Sequence, residues 1–190
     1  MTNYLQKARR LQKQADLILE DLRLPNFLSK YGKVTFVGSY ALELIVKKDI
    51  DIVVASSLDY KDFLEIVNYL FPEPNVYNLS LQDFRKSIYS ERPQGIYCGI
   101  SYLVKPKTFW KIDIWFLSKK DNTAEKLIDW VKERLTNEKR EIILKIKNEM
   151  LQTKHGKEIS GLDVYKAVLE KDVKDLEGFK KYLKRQGRDL

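Results

Sequence analysis

Sulfur and imidazole are nearly missing from this chain, whose 190 residues include one cysteine, Cys98, and one histidine, His155. A single cysteine cannot form a disulfide within the chain. Zinc sites of the Cys₄, Cys₂His₂ or His₃ kind lack their ligands. A Ser-His-Asp triad would have to recruit His155 from the Lys-rich stretch Thr153–Lys157, and no nucleophile-elbow sequence accompanies it. Cys98 reads as a small buried hydrophobe in a strand rather than as a nucleophile. Long apolar runs are missing too. Met1–Arg10 holds no hydrophobic stretch and no segment approaches 18 apolar residues, so the expectation is a soluble, cytoplasmic protein with no membrane contact.

What is present is enough to build a core. The hydrophobic fraction is 44%, with 3 Trp, 11 Tyr and 8 Phe, which excludes wholesale disorder. Lys and Arg total 35 against 27 Asp and Glu, a formal charge of +8. Residues 1–118 hold 16 bases and 13 acids and residues 119–190 hold 19 and 14, so the surplus is spread and forms no basic tail. Lys supplies 26 of the bases and Arg 9, which favours solvated point charges over bidentate forks.

Periodicity divides the chain into an α/β part and a helical part. Leu5, Ala8, Leu11, Ala15, Ile18 and Leu22 stand at helical spacing over residues 3–24, with Pro25 expected to end the run. Val34–Val37 and Ile50–Val54 read as strands, with Ala41–Val46 a short helix or turn between them. Asp59 is placed to cap a helix to about Leu70. Val76–Phe84, Ile96–Val104 and Phe109–Leu117 read as three more strands, the last two joined through Lys105-Pro106-Lys107. From Asn122 onward long helices take over: Ala124–Leu135, then a run to Met150 capped by Thr136 or Asn137. Two short helices follow, the first opened by Ser160-x-x-Asp163. The expected domains are 1–118, an α+β core of mixed sheet flanked by helices, and 119–190, a helical C-terminal region.

The informative stretch is Val37-Gly38-Ser39, a gap of nine residues, then Asp49-Ile50-Asp51-Ile52. An Asp-x-Asp alone carries little weight, since 14 Asp in 190 residues produce about one by chance. Its setting changes that. On a strand Asp49 and Asp51 share one face with Cα atoms roughly 6.6 Å apart, while Ile50, Ile52 and Val54 face the core. Two carboxylates so placed can grip paired divalent cations, and hard oxygen ligands select Mg²⁺ or Mn²⁺. Lys111-Ile112-Asp113-Ile114-Trp115-Phe116 repeats the pattern with a single Asp opposite three apolar residues. A lone Asp in an apolar strand is costly unless paired, solvated in a cleft or bound to metal. Gly38-Ser39, at the strand end, permits close backbone approach and offers N–H and hydroxyl donors to phosphate oxygens.

Gly38-Ser39, Asp49-x-Asp51 and the later strand Asp113 together resemble the signature of the DNA polymerase beta-type nucleotidyltransferase superfamily. That superfamily includes minimal and antibiotic-modifying bacterial nucleotidyltransferases and enzymes that extend tRNA ends. The resemblance is specific over residues 33–54 and fair over 109–117. It implies a nucleotidyltransferase fold and two Mg²⁺ ions, replaceable by Mn²⁺, on Asp49, Asp51 and Asp113. It further implies that Gly38 and Ser39 contact the β- and γ-phosphates and that Asp113 assists deprotonation of the acceptor hydroxyl. One departure is visible: Tyr40-Ala41-Leu42-Glu43 stands where many minimal and antibiotic-modifying members carry Arg-Gly. Lys48, with Lys47, can supply the missing charge to the triphosphate, or both can sit on a solvated turn.

The expected reaction is transfer of a nucleoside monophosphate, most simply AMP from ATP, to a hydroxyl acceptor, with release of pyrophosphate. RNA or tRNA ends stand as alternative acceptors, and a non-catalytic nucleotide-binding partner protein is the alternative of another class. Tyr97, Tyr102, Lys105, Lys107 and Trp110 flank Asp113 and read either as strand packing or as contacts to a base or RNA phosphate. Arg85 and Arg92 are candidates for the cleft rim. The charge surplus is accounted for by a triphosphate substrate; it permits RNA without requiring it.

Overall fold

Two apolar stripes on adjacent strands organise the fold. The computed structural model describes residues 3–85, 93–118, 123–156 and 159–188. Strand β2 (Asp49–Ala55) buries Ile50, Ile52 and Val54, and strand β5 (Thr108–Leu117) buries Trp110, Ile112, Ile114 and Phe116. Period-two alternation therefore puts Asp49, Asp51 and Asp113 on the opposite face. The two strands run parallel with Asp51 directly beside Asp113. Strands β1 (Lys33–Val37), β3 (Val76–Asp83) and β4 (Gly95–Lys105) complete a five-stranded mixed sheet of order β1-β2-β5-β4-β3. Every pairing except β2–β5 is antiparallel. The α+β architecture expected from sequence is the one observed.

Helices cover the apolar face. Helix α1 (Asn3–Asp21), α2 (Leu24–Leu28) and α4 (Tyr60–Leu70) bury Leu11, Ala15, Ile18, Leu24, Phe27, Leu28, Ile66 and Leu70 against the buried strand residues. Asp59 caps α4 in a reciprocal box with Asp62, as its position suggested. Pro25 does not end the first helix. The chain breaks at Arg23, whose φ is 45°, and Pro25 lies in the first turn of α2, where a missing N–H removes no helical bond. The short helix after β1 also begins earlier than expected: α3 is Gly38–Ala41, and residues 44–46 run on without regular structure.

The C-terminal helices, α5 (Thr123–Arg134), α6 (Asn137–Met150), α7 (Gly161–Lys171) and α8 (Leu176–Arg185), form a second apolar cluster. It includes Val131, Ile143, Val168, Phe179 and Leu183, and it recruits Ala8, Leu42, Leu44 and Val46 from the N-terminal part. Polar ties reinforce the junction. Arg140 donates to the carbonyls of Leu42 (2.7 Å) and Glu43 (3.2 Å), and Lys147 donates to that of Leu44 (2.7 Å). Glu125 of α5 accepts from Lys33 and Thr35 of β1, both at 2.7 Å. These bonds and apolar contacts hold the helices against the segment that leads from Gly38 to Asp49. Among the described residues, no helix is long and apolar enough to cross a membrane.

Candidate active site

Asp49, Asp51 and Asp113 each present a carboxylate oxygen within 4.8 Å of the other two. The parallel β2–β5 register brings them together, since a strand far along the chain supplies the third acid beside the first two. All three are half-buried, so their mutual repulsion is only partly screened by solvent. Burial first, then the charges of Asp49 and Asp113, push the Asp51 carboxyl up to about 7, against the opposing pull of Lys111 and Lys147. Asp49 is likewise raised, by burial and then by Asp113, with Lys111, Lys47 and Lys147 opposing. One oxygen of Asp49, Oδ1, is buried with no hydrogen-bond partner. Such an orphaned acceptor is costly as it stands and is suited to a cation.

Both oxygens of Asp113 are engaged from its own side of the sheet. The Tyr97 hydroxyl donates to Oδ1 at 2.6 Å and the Lys111 ammonium donates to Oδ2. Gly99, opposite Asp113 on β4, permits this reach: a Cβ there would lie 2.4 Å from the Tyr97 hydroxyl. Gly38 has a parallel role beside Asp51. Its φ is +63°, and a Cβ would lie 2.1 Å from Asp51 Oδ2, so only glycine fits between the end of β1 and the carboxylate.

A cavity of about 250 Å³ opens beside the acids. Gly38, Ser39, Asp49 and Asp51 form one wall, and Leu127, Met150, Leu162 and Tyr165 of the helical region contribute to an apolar wall facing it. Two lysines reach this space. Lys47 is exposed, whereas Lys147 of α6 is half-buried, its amine turned inward to the Leu44 carbonyl. Burial, then the nearby Lys47 charge, pull the Lys147 amine down to about 7, with Asp51 and Asp49 pulling the other way. The amine also donates to the Tyr165 hydroxyl at 3.3 Å and lies 5.4 Å from that ring's centroid.

The structure thus gathers Gly38, Ser39, Asp49, Asp51 and Asp113 in one place. Lys48 is half-buried outside the cavity lining, its carbonyl accepting the Lys111 N–H at 3.0 Å. Of the residues flanking Asp113, Tyr102 and Trp110 lie on the buried face, and Tyr102 donates to Asp21. Lys105 and Lys107 are exposed. Arg85 is bound to Asp83 and to the Leu58 carbonyl, and Arg92 lies outside the described residues. Cys98 is fully buried, with burial chiefly pushing its thiol up to about 12, as suits an inert packing residue. Lys147 and Tyr165 were invisible to sequence reading. One lysine among 26, set in a charge-rich helix, carries no local signal.

The five-stranded mixed sheet flanked by helices has the nucleotidyltransferase fold. Solved structures that share it include a cytoplasmic RNA terminal U-transferase, 17% identical, with a TM-score of 0.58. That match covers 83% of this chain and 47% of the other. Cid1 in complex with its short product ApU is 13% identical, with a TM-score of 0.56, over 88% of this chain and 53% of the other. A mutant of the Cid1 poly(U) polymerase bound to MgATP is 18% identical, with a TM-score of 0.52, over 73% and 42%. The chain thus spans about half the length of these structures. No protein-family model matches the sequence, and no curated protein does.

Proposed function

We propose that the protein is a metal-dependent nucleotidyltransferase that moves a nucleoside monophosphate, AMP from ATP in the simplest case, to a hydroxyl acceptor. The observation that carries this reading is the convergence of three half-buried carboxylates, one with an orphaned oxygen, beside a glycine turn and an open cavity. The donor set is all oxygen, which suits Mg²⁺ or Mn²⁺. Asp49 and Asp51 are placed to hold two such ions, with Asp113 completing the set. When bound, the ions would neutralise triphosphate charge and make the acceptor hydroxyl easier to deprotonate.

The remaining roles belong to the chain. Gly38 lets the backbone approach the phosphates, and Ser39 offers a hydroxyl and an N–H to them. Lys147 and Lys47, which line the cavity, supply the positive charge that sequence assigned to Lys48, a residue outside the lining. Tyr97 and Lys111 fix the orientation of Asp113. The acceptor oxygen forms a bond to the α-phosphorus while the bond between that phosphorus and the α,β-bridging oxygen breaks. Pyrophosphate leaves, and Asp113 stands where it can assist removal of the acceptor proton. In this reading residues 1–118 form the catalytic core and residues 119–190 wall the nucleotide.

An RNA end is a second reading for the acceptor, favoured by the RNA terminal U-transferase that shares the fold. Pyrophosphate release from labelled ATP with Mg²⁺ and a panel of acceptors tests the proposal. The expected result is turnover by the wild type and none by an Asp49→Asn/Asp51→Asn double variant. Equal behaviour of the two proteins would remove the catalytic reading. Tight nucleotide binding without metal dependence would favour a non-catalytic binding protein.

A further inference from the structure

The face of the sheet that carries Asp113 continues away from the nucleotide cavity as a surface of unusual composition. On β5 the same face presents Phe109, Lys111, Asp113 and Trp115 in order. Opposite them on β4 stand Leu103, Ser101, Gly99 and Tyr97, and beyond these on β3 stand Asn78, Ser80 and Gln82. The middle of this surface is polar, made of Ser101 and Ser80, with Gly99 buried beneath the Tyr97 hydroxyl. Aromatic rings rise at both ends. Tyr77 and Phe109 pair at 5.0 Å between ring centroids, and the residues are 71% and 38% exposed. At the other end Trp115 packs against Tyr97 (5.2 Å) and Phe84 (5.6 Å).

Two large rings held in water at the edge of a sheet gain little for the fold. Tyr77 sits at an irregularity in the β3–β4 pairing, so its position does not follow from simple strand alternation. Lys111 is exposed between Phe109 and Asp113, and Lys105 and Lys107 are exposed in the adjoining turn. Ring faces, spaced cations and a small-residue floor are the components of a surface for single-stranded nucleic acid, where bases stack and phosphates meet lysines. A protein partner would match the exposed rings but not the row of lysines leading to a reactive carboxylate. Asp113 lies four strand steps from Phe109 on β5, roughly 13 Å at strand rise, a span of a few nucleotides.

We infer that this open face of β3, β4 and β5 is the acceptor track: it seats a single-stranded nucleic acid whose 3′-hydroxyl reaches Asp113 and whose upstream bases stack on Phe109 and Tyr77. The inference rests on the nucleotidyltransferase reading and deepens it, since it names the class of acceptor and the surface that selects it. The nucleotide enters from the Gly38 and Lys147 side and the acceptor from the opposite side of the acids. A paired acceptor is disfavoured, because the interior bases of a duplex cannot offer their faces to the rings.

Fluorescence anisotropy with a labelled single strand of about ten nucleotides, within the usual site size of such grooves, tests the track. The ribo- and deoxyribo- forms are compared with the matching duplex. The expected result is single-strand binding that weakens with salt, and a roughly tenfold loss for Phe109→Ala or Tyr77→Ala. Lys105→Glu should weaken binding and flatten the salt dependence. Circular dichroism checks that the variants fold, which their exposure favours. Absence of single-strand binding by the wild type, or variants that bind as the wild type does, overturns the track. Calorimetry of Mg²⁺–ATP binding to the wild type reads the nucleotide site separately. A protein that binds Mg²⁺–ATP but no oligonucleotide refutes the track and leaves the transferase; ring-dependent oligonucleotide binding without Mg²⁺–ATP binding refutes the transferase and leaves the surface.

Discussion

Replacing Asp51 by Asn should stabilise the metal-free protein while destroying its response to metal. In the fold the Asp51 carboxyl titrates at about 7, against an ordinary 3.8. The folded state therefore binds a proton between pH 4 and 7 that the unfolded chain has released. Stability falls as pH rises through that window, and the full cost is present above pH 7. A displacement of that size corresponds to about 4 kcal/mol. For a chain of this length that is a rise of about 10 °C in Tm for Asp51→Asn at pH 8 without metal. The asparagine keeps the shape and removes the charge. Differential scanning calorimetry at pH 5 and pH 8, each with and without Mg²⁺, resolves the effect. Wild type should lose stability from pH 5 to pH 8 without metal and recover part of it on adding Mg²⁺, because a cation then neutralises what the proton did. Asp51→Asn should show a weaker pH dependence and little Mg²⁺ response. If the variant melts below the wild type at pH 8 without metal, or if both respond equally to Mg²⁺, the acidic site is not the strained cation site described above.

Other outcomes follow from the same geometry. Gly38→Ala forces a Cβ to within 2.1 Å of Asp51 Oδ2 at a φ of +63°. It should cost about 1–2 kcal/mol from the backbone alone and abolish Mg²⁺–ATP binding, measured by melting and calorimetry; normal binding would show that the turn does not cradle the site. Lys147→Met should remove the pH dependence that this amine, pulled down to about 7 by burial, gives the metal-free protein, at the cost of the bonds to Leu44 and Tyr165. The sign is that stability of the wild type rises with pH between about 7 and 10.5, and the variant loses this slope. The same substitution should weaken ATP binding by roughly tenfold or more, the worth of a charged hydrogen bond to phosphate. Thr136→Ala removes the side chain that accepts from the Lys139 N–H at the start of α6. It should cost about 1 kcal/mol, or 2–4 °C in Tm, with no change in nucleotide affinity.

Much of this protein was written locally and could be read without the fold. Ile50, Ile52 and Val54 alternate with Asp49 and Asp51, and that period of two fixes which face of the strand is wet. Asp59, Thr136 and Ser160 stand where helix starts need an acceptor, and each caps its helix in the structure. Pro25 misled because the residue both ends and begins helices, and the choice depends on what lies two residues before it: here Arg23 turns left-handed and starts a new helix. Gly38-Ser39 and Asp49-x-Asp51 could be grouped from sequence as candidates because all four positions lie in one short segment running from the end of β1 to the start of β2. What sequence could not supply is proximity across long separations. The Lys147 amine reaches the cavity only because α6 packs over residues 42–46, whereas Asp113, expected beside the pair from its strand pattern and the resemblance, is brought there by the parallel β2–β5 register. Sequence likewise could not say which aromatics near Asp113 are free. Tyr102 and Trp110 face the core while Tyr77 and Phe109 face water, a choice made by register and by the irregularity at Tyr77. The chemistry of each residue was set by its identity; which residues share that chemistry was decided by which strands lie side by side.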